Sequence, residues 1–255
     1  MRRTLSISDG PRLATIGVVL ATTLLLSACS GWSFDVSDEI IGSGDVITET
    51  RDVDGFDTID FRAFGTLIIE EGTRDSLTVR GDDNLMGRVE TYTEGDRLVI
   101  EIEDGIIPLP SDGFEYVVTV RDLRDLDVAG AGRVVVDGFT GDALDVDFSG
   151  AGTVDLRGVD VETLEVSFTG AGQMLASGRA TFHDARISGA GNYDAGSLAT
   201  AETTLSSSGA GNAEVWATDE LTIDSSGVGK VSYWGSPNTD ISTSGIGGVE
   251  ELGDK

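Results

Sequence analysis

Apolar and polar residues alternate with a period of two along most of the chain, and glycine interrupts the alternation at regular intervals. Leu144, Val146 and Phe148 precede one break, and Val154 and Leu156 follow it. Leu164, Val166 and Phe168 precede the next, and Val134 and Val136, Leu221 and Ile223, and Val231 and Tyr233 repeat the scheme elsewhere. Successive side chains of a strand point to opposite faces, so a period of two predicts strands with one face buried. Asp145, Asp147 and Asp155 fill intervening positions and are expected on the solvent face. No stretch after residue 29 carries a helical period.

The breaks are G-x-G motifs beginning at Gly130, Gly150, Gly170, Gly189, Gly209, Gly227 and Gly245, in steps of 20, 20, 19, 20, 18 and 18 residues. Two half-buried strands per repeat cannot cover their inner face alone, whereas stacking successive repeats covers it. The pattern therefore predicts an all-β fold, a single-stranded parallel β-helix (solenoid) with 18–20 residues per turn. Its turns would hydrogen-bond to one another at about 4.8 Å. The G-x-G motif is then a corner. The backbone bends there at φ values that branched residues refuse, and any side chain would meet its copy on the next turn. A second ladder of small residues, Gly138, Gly158, Gly178, Ser197, Ala217, Gly235 and Gly253, predicts a second corner. A hydroxyl ladder, Ser149, Thr169, Ser188, Ser208, Ser226 and Ser244, precedes the glycines and reads as corner chemistry, with a carbohydrate-binding stripe as the alternative. The spacing fits neither a leucine-rich repeat, a propeller blade nor a calcium-binding nonapeptide.

The regular repeats occupy residues 126–255. Residues 40–125 alternate less cleanly and are expected to form irregular early turns with longer corners and a cap. At the other end the core-facing positions fade to Thr239, Ile241 and Thr243, as expected for an end turn whose polar residues discourage edge pairing.

Residues 1–29 read as an exported protein's leader. Arg2, Arg3 and Arg12 precede an apolar run over residues 13–26, shorter than the about 20 residues of a membrane-spanning helix. Leu26, Ser27 and Ala28 then lead into Cys29, the one cysteine of the chain. This is the order of a bacterial lipobox, with Cys29 as the lipid attachment site that binds the protein to a membrane. Ser30 in place of an aspartate favours the outer membrane where a bacterium has two. Residues 30–39 form a short tether, and residues 40–255 one domain.

Charge narrows the partners. The chain has 45 acidic against 17 basic residues, a formal net charge of −28. Such a field repels nucleic acid. The acids are dispersed among Val, Leu and Ile, which fits a solvated folded surface or a salty habitat. Five residues before each corner stand Asp125, Asp145, Glu165 and Asp184, followed by Thr204, Thr222 and Asp240. If the turns keep register, four carboxylates stack. A solvated acidic stripe is the plain reading, and a row of weak Ca²⁺ sites the sharper one. No other cofactor is indicated. His183, the one histidine, is expected at a partly exposed strand end, and no nucleophile elbow accompanies it. Trp216 and Trp234 are candidate binding aromatics, because the register turns Tyr233 inward.

The stretch "IIGSGDVITETRDVDGFDTIDFRAFGTLIIEEGTRDSLTVRGDDNL", then "DRLVIEIEDG", then the "SGAGN" repeats, resembles the putative auto-transporter adhesin head GIN domain family. The GSG…GFD…I opening is the most specific part, and "GVG" and "GIG" in the final turns depart from the pattern. The resemblance implies a β-helical, often lipid-anchored envelope protein and brings no catalytic residues with it. The expected function is a non-catalytic binding or structural module for an envelope protein or glycan. The alternative is a glycan-cleaving enzyme that uses surface carboxylates.

Overall fold

A computed structural model describes residues 38–255. The lipobox residues Leu26, Ser27, Ala28 and Cys29 and most of the tether lie outside the described residues. The repeats form a β-solenoid. Strands Thr140–Phe148, Ala151–Phe168, Ala171–Ile187, Ala190–Ser207 and Ala213–Ser225 stack in parallel, each on the turn before it.

Stacking puts like residues over one another. Val146, Val166, Ala185, Leu205, Ile223 and Ile241 make one interior column. Leu67, Val134, Val154, Met174, Tyr193 and Ala213 make another. Phe148 and Phe168 stack with ring centroids 5.1 Å apart, within the range of favourable aromatic pairs. Nearly every member is buried, and this continuous interior is the core.

The two glycines of each corner are required for different reasons. Gly150 has an ordinary φ, but a Cβ there would lie 2.1 Å from the carbonyl oxygen of Gly130 on the preceding turn. Gly152 has φ +134, and its Cβ would lie 1.9 Å from the oxygen of Gly132. The unusual φ expected at the G-x-G corner belongs to its second glycine: the first answers only to close approach, and the second answers to both constraints. Hydrogen bonds tie each corner to the next, as from the Ala151 N–H to the Gly130 carbonyl at 3.0 Å.

The second ladder of small residues keeps register at its ends, where Asp137 pairs with Arg157 just before Gly138 and Gly158, and Trp216 with Trp234 just before Ala217 and Gly235, but it slips in the middle. Gly178 pairs with Val159 rather than Gly158, Ser197 with Ser177, and Ala217 with Thr200. Steps of 20, 19 and 18 residues must be reconciled somewhere. All the register shifts fall between residues 156 and 159, 175 and 177, or 194 and 202 on one strand of each pair, away from the G-x-G corner. The crowded corner cannot absorb an extra residue, and the open one can.

Residues 40–125 differ from a run of sequential turns. Strands Thr58–Phe61 and Phe64–Glu71 stack on Asp125–Val128 and Ala131–Asp137 on one side. On their other side lie Arg97–Ile102 and Glu115–Val120, so the chain order of the first turns is inverted along the axis. Strands Val46–Arg51, Ser76–Asp82 and Val89–Glu94 pair antiparallel at this end, and Asp38–Ile41 pairs with Ile106–Leu109. The opposite end is bare: Asn238–Thr243 is exposed at every position.

Candidate binding surface

The outward face of the pre-corner strands carries the acids. Register places Asp125, Asp145, Glu165 and Asp184 on consecutive turns, with Thr58 before them and Thr204, Thr222 and Asp240 after. Two residues along, a second column runs Asp60, Asp127, Asp147, Ser167 and Arg186.

Arginines neutralise the two ends of this surface unequally. Asp60 is buried and accepts from Arg62 at 2.5 Å, while Arg97 lies 3.5 Å from it and also bonds Asp127. Asp184 pairs with Arg186 at 2.8 Å. Arg124 turns to Asp57 and Asp122. Among the described residues, no ion pair reaches Asp145 or Glu165. A cleft of about 460 Å³ opens here, lined by Asp122, Arg124, Asp125, Asp142, Asp145 and Glu165 among others. Desolvation, then repulsion from Glu165 and Asp125, raises the Asp145 carboxyl above its ordinary value. Desolvation and Asp127 do the same for Asp147. The centre of the face is thus an uncompensated negative patch that attracts cationic or proton-donating groups.

No group of three or more His, Cys, Asp or Glu side chains is arranged to hold a metal ion among the described residues. The carboxylates lie in two parallel columns, Asp125, Asp145, Glu165 and Asp184 in one and Asp60, Asp127 and Asp147 in the other, and present oxygens in rows along the face.

The corner face offers a shallow open groove, whose lining includes Ser149, Thr169, Ser188, Ser208 and Ser226. Beside the hydroxyls runs a column of Ala131, Ala151, Ala171, Ala190 and Ala210, ending in the exposed Val228 and Ile246.

Trp216 and Trp234 pair on adjacent turns, both half-buried, and the Trp234 indole N–H donates to Glu214 Oε1 at 2.6 Å. Tyr233 is buried, with its hydroxyl 3.3 Å from Glu251. His183 corrects its expectation: it is 3 % exposed, in the column of Leu164 and Thr203. Its Nε2 lies 2.7 Å from the Tyr193 hydroxyl, which reaches it across the interior. Burial pushes the imidazole down to about 4. Spacing showed the column from Asp125 to Asp184, but nothing local in the sequence marks Arg97, which meets Asp127 only because the early turns are stacked out of order.

A family model described as putative auto-transporter adhesin, head GIN domain, matches residues 55–237. Among solved structures, a putative adhesin from Bacteroides fragilis is similar at 26% identity and a TM-score of 0.81, over 84% of this chain and 100% of that one. A putative lipid binding protein from Parabacteroides distasonis is similar at 20% identity and a TM-score of 0.65, over 84% and 100%. A putative adhesin from the same organism is similar at 21% and 0.65, over 84% and 100%. At their identities the latter two show the fold alone. No curated protein matches the chain.

Proposed function

This chain belongs to the putative auto-transporter adhesin, head GIN domain family, and from that premise we propose that it is a non-catalytic, lipid-anchored binding module of a bacterial envelope. Cys29 carries the lipid, in the outer membrane where there are two membranes. The solenoid presents its acidic face to an envelope protein or glycan. The observation that supports this reading is the register-locked column from Asp125 to Asp184, whose central members Asp145 and Glu165 have no arginine partner. A surface that concentrates unpaired charge works against its own stability, and recognition of a partner is the compensating use. Rigid stacking fixes the carboxylates without ordering cost on binding.

The test is site-specific photo-crosslinking in intact cells. A crosslinker at Ala143 or Thr163, beside the acidic cleft, should capture one defined protein or glycan species. The same group at the exposed Asp219 should not. Capture that is equal at both positions overturns the acidic face as the binding surface. Cys29→Ser should move the protein from the membrane fraction to the soluble one and abolish metabolic lipid labelling. Cell-wall glycan turnover that Asp145→Asn or Glu165→Gln abolishes would replace the binding role with an enzymatic one.

A further inference from the structure

The pair Trp216 and Trp234 is filled by the protein itself. The Lys255 ammonium lies 4.8 Å from the centroid of the Trp234 ring and 5.2 Å from that of Trp216. Both distances are within the range of a cation–π contact. The same Nζ donates to the Gly196 carbonyl. The Glu214 carboxylate lies close to Gly196, where a Cβ would sit 2.3 Å from Glu214 Oε1, and makes no ion pair with Lys255 among the described residues. Glu214 in turn holds the Trp234 indole at 2.6 Å. The path that delivers Lys255 is pinned by three bonds. The Leu252 N–H donates to the Tyr233 carbonyl at 2.8 Å, the Gly235 N–H to the Gly253 carbonyl at 2.9 Å, and the Ser236 hydroxyl to Asp254 at 2.7 Å.

Two aromatic faces, a carbonyl acceptor and a neighbouring carboxylate form the set that recognises an alkylammonium group. The chain has only two lysines. Lys230 pairs with Glu250 on the adjacent turn, and Lys255 enters this set. We propose that Gly196, Glu214, Trp216 and Trp234 form a binding site for the lysine side chain of a partner protein, held here by Lys255 of the same chain. Lys255 is then a tethered competitor. A partner must displace it, and its tether sets the threshold, because an intramolecular ligand acts at a high effective concentration. The site is separate from the acidic face between Asp125 and Asp184, and the proposal does not rest on that face being used.

n-Butylammonium, the lysine side chain without its backbone, is the probe. Titrations at constant ionic strength follow tryptophan fluorescence in a Trp32→Phe background, so that the signal comes from Trp216 and Trp234. With Lys255→Ala the response should saturate, and with Lys255 present the apparent affinity should be about 10-fold weaker. n-Butanol, neutral and of the same shape, should give no saturable response. Glu214→Gln and Trp216→Ala, each combined with Lys255→Ala and followed by calorimetry, should lose the binding. The proposal is overturned if Lys255→Ala shows no saturable response, if affinity is equal with and without Lys255, or if butanol matches butylammonium.

Discussion

At Gly152 two constraints coincide, a left-handed φ of +134 and a Cβ position 1.9 Å from the Gly132 oxygen. Gly158 carries only the first, with φ +58 and open space around its Cβ position. Alanine at Gly158 should therefore cost about 1 kcal/mol, the price of a left-handed alanine. Alanine at Gly152 must push two turns apart and break the hydrogen bonds between them, and should cost more than about 4 kcal/mol or prevent folding. Denaturant melts of the two variants separate these outcomes, and equal losses would mean that the corners are not close-packed. His183 makes a different kind of prediction. Its folded value of about 4 lies below the ordinary 6.5, so between those values the unfolded chain binds more protons. The contribution of His183 should be fully present above pH 6.5, decline as pH falls, and be gone below about pH 4, a loss of about 3 kcal/mol from this group. His183→Leu restores the residue type of Leu144 and Leu164 in the same column. It should remove that slope from a pH series of melts, although it leaves the Tyr193 hydroxyl without its partner.

At the scale of elements, one carboxylate holds the cap. Asp82 is buried and accepts from the Gly44 N–H at 2.7 Å, the Ser111 N–H at 2.8 Å and the Ser111 hydroxyl at 2.7 Å. The Ser111 hydroxyl and N–H hold this carboxyl below its ordinary value. A carboxyl shifted down stabilises the fold above its unfolded value, and that stability is lost as pH falls through the folded one. Asp82→Ala should release the strands Asp38–Ile41 and Ile106–Leu109, read as faster amide exchange there with the repeats unchanged. The contrast between cap and repeats shows what a sequence can display. Strands such as Ala151–Phe168 were legible because a period of two and a fixed step state which residue lies over which, and the acidic column followed by counting. The order of the early turns was not legible, because alternation around Gly65 shows that a strand exists but not that it lies between Glu115–Val120 and Ala131–Asp137. Those pairings depend on the antiparallel strands at the cap, which carry no repeat. His183 was misplaced for a related reason. Its polarity argues for the surface, while its register puts it over Leu164, and the Tyr193 hydroxyl that satisfies it comes from another strand.

For the molecule as a whole, the turns are arranged in one dimension, and charge and cover vary along the axis. Carboxylates one turn apart repel by about 1 kcal/mol per pair in a water-like medium, and added salt screens this. The melting temperature should rise with NaCl, and Asp145→Asn should raise it at low salt and flatten the dependence. Cover differs at the two ends. In the column Leu205, Ile223, Ile241, the first two are buried and Ile241 is 39% exposed, since no further turn among the described residues lies beyond it. Its neighbours Thr239 and Thr243 stand where Leu221 and Ser225 stand one turn earlier, so the final turn buries little apolar surface of its own. Stability in a stacked array is a sum of each turn's own stability and its contacts with neighbours, and a turn with one neighbour is the first to open. Amide exchange should therefore be graded along the axis. Asn238–Thr243 and Ile246–Glu251 should exchange by local fraying, at rates insensitive to substitutions near the cap, whereas Leu164 to Phe168 should exchange only with global unfolding. Ile241→Ala should quicken exchange in the final turn and barely alter the global melt. A uniform loss of protection along the rod would instead mean that the turns unfold as one unit and that the bare end is held by something beyond its contacts with the turn before it.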